Sequence, residues 1–111
     1  MNHKNYINNE WVDAKDGKTF DVENPFTEEI IAQVPRSNEV DVGAAAQAAK
    51  AAWKEWKMLG SLDMRDLLRE VAVKSRSHDH EIAEIITRES GKPLIECLDE
   101  IEWIASIFEY Y

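Results

Sequence analysis

The chain has 111 residues, 44% of them hydrophobic and 32% charged, with a net charge of −9. That length suits one small domain with a workable core, and the composition is that of a folded globular chain rather than a disordered one. The acidic balance argues against nucleic acid or an anionic membrane as partner, since both reward a basic surface.

The first third reads as β. Tyr6-Ile7 and Trp11-Val12 flank Asn8-Asn9-Glu10, a short break that fits a small hairpin. Asp16-Gly17 is a turn signal. Phe20 and Val22 then alternate with polar residues, Asn24-Pro25-Phe26-Thr27-Glu28 interrupts, and Ile30 to Val34 resumes before Pro35. This pattern predicts a second hairpin, whose short strands need covering by something else.

The remainder reads as helical. Asn38 is the expected N-cap, with Asp41 three residues on to complete a variant capping box. Val42, Ala45, Ala46, Ala49, Trp53 and Trp56 follow, within an arc of about 100°. Gly60-Ser61 ends this helix and caps the next, whose apolar stripe is Met64, Leu67, Leu68, Val71 and Ala72. Ser75 breaks that stripe, and Ser77 to His80 reads as a kink or a one-residue restart. Ile82, Ile85 and Ile86 carry a third segment to Gly91, placed as a C′ glycine, and Pro93 opens a fourth. The expected interior includes Phe20, Val22, Val42, Ala46, Ala49, Trp53, Leu68, Val71, Ile86, Leu98 and Ile101.

The last helix carries Leu94, Cys97, Leu98, Ile101, Ala105 and Phe108 on one face, and a second strip of Trp103, Ile107 and Tyr110 roughly opposite. A helix apolar on both sides is expected to be buried on both, so further chain or another subunit is expected over the second strip. No Gly, Asn, Pro or basic last turn closes this helix, and after Lys92 its only charges are Glu96, Asp99, Glu100, Glu102 and Glu109. We therefore expect the front portion of a longer protein.

The residues by themselves offer no catalytic site. Cys97, the only thiol, lies on an apolar helix face followed by acids, a setting for a small core residue rather than a nucleophile. His78 and His80, two apart, do not share a helix face, and with His3 they make no zinc pattern. Glycines 17, 43, 60 and 91 make neither a dinucleotide fingerprint nor a phosphate loop. Glu28-Glu29 reads as a solvated turn. A single cysteine forms no internal disulfide, Met1-Asn2-His3-Lys4 has no signal-peptide core behind it, and no apolar run approaches ~20 residues. The expected location is the cytoplasm, with no membrane partner.

The order of these pieces resembles the start of the NAD(P)-dependent aldehyde dehydrogenases. The likeness runs through Tyr6-Ile7-Asn8-Asn9-Glu10-Trp11, Asn24-Pro25 and its hairpin, and the alanine-rich stretch from Val42 to Trp56. It continues through Leu67-Leu68-Arg69 and Glu89-Ser90-Gly91-Lys92-Pro93, with Glu96 and Glu100 after it. The resemblance implies an α/β parent in which residues 1–111, as two β-hairpins and about four helical segments, open the cofactor-binding domain beside a Rossmann-type sheet. It also implies oxidation of a small-molecule aldehyde to a carboxylic acid with NAD or NADP, in a homo-oligomer. In that chemistry a cysteine thiolate forms a thiohemiacetal and then a thioester, with an oxyanion held by an asparagine and a backbone N–H. Those residues and the cofactor loops fall beyond position 111 in the family order, and Cys97 matches none of them. One feature maps onto this segment. Some members hold a structural monovalent cation, and the matching positions are the carbonyls of Val22 and Glu23 and the carboxylate of Glu89, where an aspartate is often found. Two other functions remain open: a stand-alone helical interaction module using the Trp103–Ile107–Tyr110 face, and a shortened inactive homologue that regulates a full-length enzyme.

Overall fold

The computed structural model describes residues 3–111; Met1 and Asn2, part of the start considered for a leader, lie outside them. In chain order come β1 (Asn5–Ile7), β2 (Glu10–Val12), β3 (Thr19–Glu23), β4 (Ile30–Pro35), α1 (Glu39–Trp56), α2 (Ser61–Ser77), α3 (Asp79–Ser90) and α4 (Leu94–Tyr110). Two antiparallel hairpins are followed by four helices, as the sequence predicts. The chain divides into two compact units. One runs up to Glu23 and resumes over Glu28–Met58; the other comprises Asn24–Thr27 and Leu59–Tyr111.

In the first unit β1 and β2 pair Tyr6 with Trp11 and Ile7 with Glu10. Asn8 and Asn9 both take positive φ, 54° and 63°, as a two-residue hairpin turn requires, so Glu10 opens the strand instead of belonging to the turn. The Tyr6 and Trp11 rings lie 4.9 Å apart across the pair. β3 and β4 pair from Thr19↔Pro35 to Glu23↔Ile30, with a register shift between Val22 and Glu23. One further backbone bond, from the His3 amide to the Gln33 carbonyl at 2.9 Å, ties the start of the chain to β4.

Helix α1 starts as expected. The Asn38 side chain accepts from the Val40 amide, and Asp41 closes the capping box by accepting from the Asn38 amide at 2.9 Å. The other Asp41 oxygen accepts from the Lys15 amide at 2.9 Å, which leaves this carboxylate only 7% exposed. With its charge met by two N–H donors, a polar residue becomes the most buried position of the helix. The inward face is therefore Asp41, Ala45 and Ala48; Ala45 and Ala48, together with the more exposed Ala49 and Ala52, line a 290 Å³ cavity with Tyr6 to Asn9. That face lies roughly 80° round the helix from the predicted stripe. Val42 is 64% exposed, and Ala46, Ala49 and Trp53 are exposed with it. The helical period is right and its orientation is not. The helix ends at Trp56, four residues before Gly60.

The second unit packs α4 against α2 and α3. Ala72, Ala83, Cys97 and Ala105 are fully enclosed, with Ile101 beside them and Ile82, Ile86 and Leu98 around the edge. Along α2 the inner positions are Met64, Leu68 and Ala72, an i, i+4 row, followed by Ser75 at i+3, and this row displaces Val71 to the exposed side. Ser75 continues that row; its hydroxyl donates to the Val71 carbonyl at 2.9 Å and the helix runs on to Ser77. A one-residue break at His78 separates α2 from α3, so restart rather than kink describes the joint. Of the expected interior, Ile101 is buried and Val22, Leu68, Ile86 and Leu98 are half-buried, while Phe20, Val42, Ala46, Ala49, Trp53 and Val71 are exposed.

Gly91 ends α3 at φ 75°, and its amide donates to the Thr87 carbonyl at 2.9 Å. A Cβ built there would lie 3.1 Å from Cγ of Pro25. Left-handed φ and this close approach act together against any side chain. Gly91→Ala should lower the unfolding free energy by about 1 kcal/mol or more in a urea melt; an unchanged midpoint would show that the turn yields freely.

Candidate functional site

Cys97 occupies the first turn of α4, where its amide donates to the Pro93 carbonyl at 3.3 Å. Its side chain is 0% exposed, packed with Ala83 and Ile101, and the Thr87 hydroxyl donates to Sγ at 3.4 Å. A thiol so enclosed cannot meet a substrate without opening the helix pair, so it is an interior side chain. The histidines are tied locally: His78 Nδ1 lies 2.9 Å from the Lys74 carbonyl oxygen, and the His80 amide donates to Asp79. Among the described residues no group of three or more His, Cys, Asp or Glu side chains could hold a metal ion. Val22 and Glu23 stand at the register shift of β3 in the first unit; Glu89 is exposed in the last turn of α3, in the second.

Two pieces of the family-like pattern do meet. The Asn24 side chain accepts from the amides of Phe26 and Thr27, at 2.9 and 3.4 Å, forming a side-chain-closed turn that presents Pro25 to Gly91. The Pro25 ring packs close over the Gly91 backbone. The two loops offer a structural junction with no reactive group.

The remaining candidate is the outer face of α4. Trp103 is 74% exposed and Tyr110 82%, with Ile95, Ile107 and Tyr111 also open to solvent. Trp103 is shared by two grooves. One, of 570 Å³, is lined by Glu96, Asp99, Glu100, Trp103 and Ile104; the other, of 510 Å³, by Trp103, Ser106, Ile107, Tyr110 and Tyr111. The strip is thus acidic in its N-terminal half and apolar in its C-terminal half.

Most of the acids nearby are already committed. Arg76 of α2 is gripped by two carboxylates: Nε and Nη2 donate to Glu102, both at 2.8 Å, and Nη1 and Nη2 donate to Glu109 at 2.6 and 2.9 Å. These bonds hold Glu102 and Glu109 below the ordinary glutamate range and push the guanidinium further up. The Lys92 ammonium pairs with Glu100, whose hydrogen bond raises the lysine above its usual value. Glu96 and Asp99 make no ion pair among the described residues. Sequence reasoning missed the Arg76 clamp because its partners lie 26 and 33 residues away; the only hint was the seven-residue spacing of Glu102 and Glu109, two turns of one face.

The description "Aldehyde dehydrogenase family" belongs to the family model that matches residues 11–111. The α-ketoglutarate semialdehyde dehydrogenase of Haloferax volcanii is 38% identical over 109 residues, which is 97% of this chain and 23% of that protein. A solved 3,6-anhydro-L-galactose dehydrogenase superposes with a TM-score of 0.96 at 30% identity, covering 99% of this chain and 23% of its own. Betaine aldehyde dehydrogenase of Staphylococcus aureus, in complex with NAD+, gives 0.92 at 28% identity, with 97% and 22% covered. The chain spans under a quarter of the length of these proteins.

Because their folded-state pKa values are depressed, Glu102 and Glu109 contribute stability above the unfolded value of about 4.3 and lose it as pH falls through the folded values. Urea melts from pH 7 down to about pH 3 should therefore show a steeper loss in the native sequence than in Arg76→Met. Parallel curves would mean that the clamp is solvated away. Cys97 should react with an aromatic disulfide reagent only as fast as the helices open, and at the free-thiol rate in denaturant; rapid labelling of the native chain would refute its enclosure.

Proposed function

The chain belongs to the aldehyde dehydrogenase family, and we propose that it forms the front scaffold of the cofactor-binding domain of a longer NAD(P)-dependent enzyme. That enzyme oxidises a small aldehyde to a carboxylic acid, acts in the cytoplasm and works as a homo-oligomer. The observation that carries the scaffold reading is the enclosure of Cys97, the only thiol of the chain. Family chemistry needs a thiolate that reaches an aldehyde carbon, and this one is enclosed beside Thr87, Ala83 and Ile101. The nicotinamide would accept a hydride; the residues here would only support the elements that bind it.

Scaffolding needs rigidity at the joints, and the joints are where these residues are most constrained. The Asn24 turn, the left-handed Gly91 and the Arg76 clamp each remove conformational freedom from the second unit. The capping box of α1, extended to the Lys15 amide, does the same in the first. For Val22, Glu23 and Glu89 a monovalent-cation role is supported by donor chemistry: two carbonyls and a carboxylate suit a hard ion. A second reading, an interaction module, draws on the exposed Trp103 strip of α4.

The test is a chimera in which residues 1–111 replace the matched segment of the Haloferax volcanii relative. It should fold, bind NAD or NADP and keep aldehyde-dependent reduction of the cofactor; a folded chimera that binds neither nucleotide would sink the scaffold assignment. Residues 1–111 alone should reduce no cofactor with any aldehyde. Aldehyde-dependent NADH formation that vanishes in Cys97→Ala would make the chain an enzyme in its own right.

A further inference from the structure

No further inference is drawn: the strongest candidate, the exposed apolar strip of α4 with the two grooves that share Trp103, is an unpartnered helix face, and nothing in the structure shows what covers it.

Discussion

Helix α4 lies tight against α2 and α3 because the side chains where they meet are small. Ala72, Ala83, Cys97 and Ala105 are fully enclosed, and Ile101 is the one large residue among them. A core built on methyl groups and a thiol lets backbones approach closely but buries little apolar area per residue, so its hydrophobic stabilisation is modest. The unit therefore leans on its edges. Arg76 joins α2 to two turns of α4 through a guanidinium that satisfies two carboxylates with four hydrogen bonds. A lysine there would supply the charge without the fork that engages both at once.

The first unit is organised around a different device. Asp41 is the only buried residue of α1, and its two oxygens take the Asn38 and Lys15 amides. One side chain thus caps the helix and holds the 13–18 loop to its start. The rotation of α1 follows from it. Once Asp41 faces inward, Ala45 and Ala48 must follow at their helical spacing, and Val42, Trp53 and their neighbours are carried to solvent.

Large apolar residues stay exposed in both units, on α1 and above all along α4. Isolated exposed hydrophobics are ordinary, but a contiguous strip of aromatics along one helix face marks an interaction surface. Family membership gives such a surface a natural context, since the relatives are more than four times longer than the stretch they share with this chain. Within the second unit the thiol is enclosed and the Arg76 ion pairs tie α2 to α4.

What the sequence determined by itself was everything governed by a few neighbouring residues. The two hairpins, the capping box at Asn38 and Asp41, the restart near His78, the left-handed Gly91 and the inward placement of Cys97 all follow from turn chemistry, capping or helical period over a turn or two. The family likeness was legible for the same reason, because its pieces are short motifs in a set order. The tertiary structure alone decided which side of α1 faces inward, that Ser75 continues the inner row of α2, and that Arg76 reaches Glu102 and Glu109. Period tells which residues share a face, but the direction of that face is chosen by what lies opposite. Opposite α1 lies a loop amide seeking a carboxylate, and a hydrogen bond over 26 positions leaves no local trace in the chain.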